Sequence, residues 1–185
     1  YESKIQLQNS EMRALQAQIN PHFLYNSLSI INWKAIEAGE DEISYVTLAL
    51  STYYRTSLNR GETMTTVAKE IDNIRAYLKI QLVMHDNEFR VVEQISDGLN
   101  DYMIPKLILQ PLAENAIDHG IDVSDNEDPT LWLTIREEDE HIFFEIRDNG
   151  AGMTQEKADQ ILTYQSSGYG VRNVCDRIHV LYGEK

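Results

Sequence analysis

Apolar residues recur at helical spacing from Glu2 to Ala38, with Ile5, Met12 and Ile19 seven apart and Leu15 at an intervening heptad position. That spacing fits a short coiled-coil lead-in and an ordinary amphipathic helix equally well, because few heptads are visible. Pro21 removes a backbone donor and clashes with the preceding turn, so the helix must kink or restart there. Ala38-Gly39 supplies a stop, since glycine takes the left-handed cap conformation. A second helix is expected over about Glu42 to Asn59, with Ile43, Val46, Leu50, Tyr54 and Leu58 on one stripe. Two helices joined by a short turn form an antiparallel hairpin, and its apolar stripes are buried well only against a second copy. A homodimeric four-helix bundle is the expected result.

Further along, Val67, Ile71, Ile74, Leu78 and Leu82 predict a third helix from Val67 to Met84, and Glu88 to Ile95 reads as a strand. Asp97-Gly98 marks a turn, and Ile104-Pro105 closes the loop that it opens. Lys106 to Gly120 has a helical pattern with Pro111 inside it, which implies a kink or a late helix start. Leu131 to Arg136 and His141 to Arg147 alternate as strands of a hairpin joined through Glu137 to Glu140. Thr154 to Leu162 reads as a short helix with Thr154 as its cap. A polar run, Thr163 to Gly168, then leads into a last helix from about Gly170 to Leu181. This order predicts an α+β chain: a helical part over residues 1–60, then a layered part over 61–185.

Composition narrows the function classes. Hydrophobic residues make up 42% of the chain, enough for a buried core. Thirty acidic against sixteen basic residues give a net charge of −14, which argues against a nucleic-acid binder that tracks phosphates. The acidic run Asp125 to Pro129 reads as a solvated loop. Cys175 is the one cysteine, so there is no internal disulfide, and His85, His141 and His179 lack metal-ligand spacing with it or with one another. No run approaches the roughly 20 apolar residues of a membrane span, and no signal peptide is present. Because Tyr1 already lies within a helical pattern, the chain reads as a piece cut from something longer, and a membrane anchor could lie upstream.

Candidate chemistry sits in separated segments. Ala17 to Ser27, A-Q-I-N-P-H-F-L-Y-N-S, places His22 and Asn26 four residues apart, so imidazole and carboxamide share a helical face. His22 also falls in heptad register with Ile5 and Met12, where a buried histidine would be purely structural. Leu109 to Gly120 crowds Glu114, Asn115, Asp118 and His119 into one to two helical turns. Asp148-Asn-Gly-Ala-Gly-Met153 follows a strand, and Gly168-Tyr-Gly-Val-Arg-Asn173 opens a helix. Singly, such segments are also found as turns and solvated faces. Together and in this order, the last three resemble the N, G1 and G2 boxes of the GHKL ATP-binding fold, shared by gyrase-type ATPases, Hsp90, MutL and histidine kinases.

The chemistry of each residue suits that resemblance. Asp148 at a strand end offers an acceptor to an adenine amino group, and Gly150 and Gly152 let backbone approach the base. Asn115 offers a hard carboxamide oxygen to Mg2+. Gly168 and Gly170 at a helix start offer N–H groups and a positive dipole end to phosphates. Tyr164 to Gly168 would form part of a mobile lid.

Leu15 to Asn26 is similar to the phosphoacceptor box of the autolysin-sensor (LytS-like) subgroup of bacterial sensor histidine kinases. The resemblance implies that His22 takes the γ-phosphoryl group of ATP and passes it to an aspartate on a response regulator receiver domain. It further implies that Asn115 holds magnesium, Asp148 reads adenine, and Asn26 orients a water for removing phosphate from the regulator. His119 and Arg172 would touch phosphate oxygens, although Arg172 could equally be a surface residue. Two departures stand out. Phe23 occupies the place where many histidine kinases carry an acid, leaving Glu114 or solvent as the general base. Pro111 stands four residues before Asn115, where gyrase-type relatives carry a water-activating glutamate, which favours transfer over hydrolysis. The family's sheet continues past the point where this sequence stops, so the ATP-binding domain is expected to be incomplete at its C-terminal end. Asn59 to Glu62 is the candidate hinge between the two parts. A nucleotide-binding scaffold without turnover and a GHKL ATPase are the competing functions.

Overall fold

The computed structural model describes residues 20–58, 62–161 and 169–183. The chain divides into two compact units, Tyr1–Glu62 and Thr63–Lys185. In the first, helix α1 spans Pro21–Ala38 and helix α2 spans Asp41–Ser57. Asn20 caps α1: its side-chain oxygen accepts from the His22 and Phe23 N–H groups at 3.1 and 3.3 Å. Pro21 therefore starts a helix rather than kinking one, at a position whose N–H would have no intrahelical partner in any case. The expected heptad stretch before it lies outside the described residues. Gly39, at φ 73°, ends α1 in the left-handed conformation, and Glu40 N–H donates back to the Ala35 carbonyl at 2.9 Å. That two-residue connection folds α2 back along α1, with Asp41 and Glu42 favourably placed at its positive end. Ser44 Oγ donates to Asn32 Oδ1 at 2.7 Å across the pair. The described residues buried between the helices are small or few: Leu28, Ala35, Thr47 and Ala49.

The second unit begins with β1 (Met64–Thr66) and helix α3 (Val67–Met84), whose bounds match the expected ones. Thr66 Oγ1 caps α3 by accepting from Lys69 N–H. Strand β2 (Arg90–Ile95) and strand β3 (Met103–Pro105) follow. β3 pairs antiparallel with β1, Met64 opposite Pro105. These three-residue strands are too short to show alternation in the sequence.

Strands β4 (Thr130–Glu138) and β5 (His141–Asp148) complete a three-stranded sheet of order β2-β4-β5, parallel at β2–β4 and antiparallel at β4–β5. Asp139 and Glu140 join β4 to β5 with φ of 48° and 63°, the two left-handed residues of a tight hairpin turn. In central β4, Leu131, Leu133 and Ile135 are fully buried, one face of a period-two pattern. Val67, Ile71, Ile74 and Leu78 of α3 join them in the core, and each such side chain contributes about 1.5–3 kcal/mol by leaving water. Arg75 on α3 grips both Glu93 carboxylate oxygens on β2, at 3.1 and 2.9 Å from its Nε.

The expected helix over Lys106 to Gly120 is shorter and of two kinds. Helix α4 runs Gln110–Ala116 with Pro111 in its first turn, then widens into a π-helical segment, Ile117–Ile121. Helices α5 (Gln155–Ile161) and α6 (Tyr169–Tyr182) end the unit. Among the described residues, no helix is long and apolar enough to cross a membrane.

Candidate functional site

In the first unit, the α1 cap exposes His22 in the first helical turn. Its Nδ1 lies 3.3 Å from Asn26 Nδ2, one turn on, so the two predicted residues do meet. Phe23 is 71% exposed, and no carboxylate pairs with His22 among the described residues.

The second unit builds its site around the start and end of α4. Segment 106–109 is not helical; Leu107 sits at φ 55°. Glu70 of α3, 2% exposed, holds the segment by accepting from the N–H groups of Leu107, Ile108 and Leu109 at 2.9, 2.7 and 3.0 Å. From α6, Arg177 donates to the carbonyls of Lys106 and Leu107 at 2.6 and 2.9 Å. Burial pushes the Arg177 pKa down, opposed by the Glu70 carboxylate. One buried acid and one half-buried guanidinium thus fix where α4 begins. Next along α4, Gln110 Nε2 donates to Glu114 Oε1 at 2.7 Å. Asn115 is half-buried and makes no hydrogen bond among the described residues. In the π segment, Asp118 and His119 are exposed and Gly120 is buried; such widened turns recur at functional sites.

Gly120 meets the turn after β5 backbone to backbone. A Cβ on Gly120 would strike the Asp148 carboxylate, and one on Gly150 would strike the Gly120 carbonyl. Ala151 N–H donates to that same carbonyl at 2.9 Å. Asp148 Oδ1 accepts from Gly150 N–H at 2.9 Å, while its Oδ2 has no hydrogen bond among the described residues. Asn149 braces the turn from the other side, its Oδ1 accepting from Thr130 N–H at 2.7 Å and its Nδ2 donating to the Asp128 carbonyl. The loop at 125–129 is therefore tied to this turn, with Asn126 Nδ2 donating to the Asn149 carbonyl. Gly150 lacks a side chain because the protein's own backbone fills that space, whereas Gly152 has open space and is needed for its φ of 67°.

Gly170 at the start of α6 approaches Pro111, whose Cβ would lie 3.3 Å from an added Cβ. Arg172 is half-buried, with its Nε 3.7 Å from Asp176 Oδ2 one turn along the same helix. The expected lid, Tyr164 to Gly168, lies outside the described residues, as do Asn59 to Gly61 of the candidate hinge.

The structure therefore brings together Asp148, Gly150 and the end of the Asn115 helix, and sets Gly170 beside its start. The sequence reading missed Gly120, Glu70, Arg177 and Asn149. Glu70 was detectable, because it lies three residues after Val67 and four before Ile74, on the apolar stripe of α3 where a solvated acid does not belong. A cavity of about 590 Å³ adjoins the end of the π segment, lined by His85, Phe89, Ile121, Asp122, Asn126 and Pro129 among others. In its lining His85 Nε2 is 3.0 Å from Asp122 Oδ1.

Two family models account for most of the chain. One described as histidine kinase matches residues 10–89, and one described as histidine kinase-, DNA gyrase B- and HSP90-like ATPase matches 100–184. The chain belongs to the sensor histidine kinase family. Sensor histidine kinase YesM of Bacillus subtilis is 33% identical over 99% of this chain and 31% of that protein. Sensor histidine kinase BtsS of Escherichia coli K12 is 33% identical over 98% of the chain and 31% of its own length. Sensor protein LytS of Bacillus cereus is 29% identical over 97% and 31%. The chain thus spans about a third of these relatives. Membership implies two-component signal transduction, and the ATPase domain implies ATP binding, usually with Mg2+.

Proposed function

We propose that this chain is the kinase portion of a two-component sensor, in which His22 accepts the γ-phosphoryl group of ATP and passes it to an aspartate on a response regulator. The observation that carries the reading is the union in one chain of an exposed histidine on a capped helix start with a glycine-packed Asp148 turn beside a π-widened helix. On this reading residues 1–60 dimerise and present His22, and residues 61–185 bind nucleotide.

The residues present suit ATP. Asp148 Oδ2 is left over for an exocyclic amino group once Oδ1 has accepted from Gly150. Asn115 presents an amide group with no protein partner among the described residues. Magnesium keeps several waters and takes few protein ligands; no group of three or more His, Cys, Asp or Glu able to cage a metal occurs among the described residues, so Asn115 Oδ1 would be its protein contact. Bound there, the ion would neutralise phosphate charge. Gly168, Gly170, His119 and Arg172 would line the phosphates; of these Arg172 is already half-committed to Asp176. Gly150 and Gly152 shape the turn. Glu114 is the candidate base for the proton of His22, and its hydrogen bond from Gln110 would orient it. Asn26 would orient water for regulator dephosphorylation. The catalysis expected is positioning and charge neutralisation.

Exposed Ile30, Ile31, Trp33, Ile36, Ile43, Tyr45 and Leu48 on the hairpin supply the apolar area that a second copy would cover. The chain is read as the cytoplasmic part of a membrane-anchored sensor. Incubation with γ-labelled ATP and Mg2+ tests the function. Acid-labile, base-stable label that is lost in His22→Gln is expected. ATP binding with no label would favour the scaffold instead, and released phosphate without label the ATPase.

A further inference from the structure

Phe23 denies His22 the neighbouring carboxylate that would hold its ring, and no other acid takes that place among the described residues. What His22 does have is Asn26, whose amide Nδ2 stands 3.3 Å from the ring Nδ1. A carboxamide can face that nitrogen in two ways. With its NH2 toward the ring it donates to Nδ1, which fixes the proton on Nε2 and leaves the outer nitrogen without a lone pair. With its oxygen toward the ring it accepts from Nδ1–H, which leaves the Nε2 lone pair free. A half-turn of the amide interchanges the two without moving any other atom. Among the described residues nothing else opposes that turn, because the exposed Asn26 side chain makes no other hydrogen bond there. The inner nitrogen Nδ1 faces the helix turn and is the one occupied; the outer nitrogen Nε2 belongs to an exposed ring and is the one a phosphoryl donor can reach.

We infer that Asn26 is the positioning residue that sets the tautomer of His22: its side-chain oxygen holds the proton on Nδ1 so that Nε2 is the nucleophile. This rests on His22 being the phosphoacceptor. In the step itself the Nε2 lone pair forms the N–P bond as the bond from the γ-phosphorus to the bridging oxygen breaks, and that oxygen leaves with its electron pair on ADP. The ring keeps its Nδ1 proton, donated to the Asn26 oxygen, and is cationic until that proton passes to the base, Glu114 or water. An amide stabilises this arrangement without acting as a base, so the missing acid at position 23 is replaced in orientation and not in proton transfer.

The test is the tautomer of His22 in the whole chain without nucleotide, read from two-bond 1H–15N spectra of histidine-labelled protein at about pH 8.5, above the ordinary imidazole range. The His22→Gln spectrum assigns the resonance. The parent and Asn26→Asp, which can only accept, are expected to show Nδ1–H as the major form, and Asn26→Leu is expected to lose it. Label incorporation should fall about three- to tenfold in Asn26→Leu, with the KM for ATP unchanged, because only the competent fraction reacts. Asn26→Asp should retain the labelling. A parent that is mainly Nε2–H, or a parent and Asn26→Leu with equal tautomer populations, overturns the assignment. If the phosphoacceptor reading itself fails, His22→Gln labels like the parent, whatever the spectra show.

Discussion

The two units solve the burial problem differently. The Thr63–Lys185 unit encloses Ile74, Leu109, Ile117, Leu131, Leu133 and Ile135 almost completely, while the hairpin buries Leu28 and Ala35 and leaves Trp33 and Ile36 more than 60% exposed. The second unit has a closed core, while the hairpin leaves an apolar stripe uncovered among the described residues. If the proposed second copy covers that stripe, the stability of the hairpin is tied to the concentration of its partner. Polar groups follow the same division. The second unit satisfies a buried carboxylate with three backbone donors, whereas the hairpin keeps His22 in the open.

Substitutions can break that contrast. Gly150→Ala should have the largest effect, because the new methyl meets backbone at Gly120. A loss upwards of about 3 kcal/mol in denaturant unfolding is expected, together with lost ATP binding by calorimetry. Glu70→Gln should come next, at about 2–3 kcal/mol, since a buried network loses a charged acceptor while its three donors remain. It should weaken ATP binding by misplacing the start of α4, and a variant that unfolds like the parent would sever that link. Trp33→Glu with Ile36→Glu should leave the monomer within about 0.5 kcal/mol of the parent, as surface changes do, yet abolish association in sedimentation. If the pair of glutamates destabilises the isolated hairpin as much as Gly150→Ala does the other unit, the proposed asymmetry is wrong.

The smallest effect is pH-dependent. Burial disfavours the His85 imidazolium, but the Gln81 carbonyl and the Asp122 and Asp118 carboxylates outweigh it and raise its pKa above the ordinary value. A raised pKa means that the contribution to stability is full below about 6.5, the unfolded value, and fades as pH rises through the folded one. His85→Gln should therefore differ from the parent by a few tenths of a kcal/mol at low pH, as for exposed pairs, and converge above that range. A gap that widens with pH would contradict the pairing.

Long, periodic elements were legible in the sequence. Helix α3 matched its stripe from Val67 to Met84, and β4 its alternation, because each lays one face on a core. What escaped depended on contacts distant in sequence. Strands β1 and β3 exist through each other. The late start of α4 depends on Glu70, 37 to 39 positions away, and on Arg177, although Pro111 had marked the difficulty. At the site, residue types named the boxes, but the sequence could not show that Gly150 answers to Gly120 rather than to a ligand. Nor could spacing show that Asn26 reaches the inner nitrogen of His22, since sharing a helical face is weaker than a 3.3 Å approach.

The meeting of Gly120 and Gly150 has a genetic consequence. A clash between two side chains can be repaired by trimming the neighbour, but here the neighbour is another glycine with nothing to trim. A suppressor search starting from Gly150→Ala should find no rescue at position 120. Any revertant other than true restoration of glycine would have to move a length of main chain, through changes in the π segment or the turn after β5. The pair is thus a point at which sequence drift has few exits, and those few would trace which backbone around the turn is able to shift.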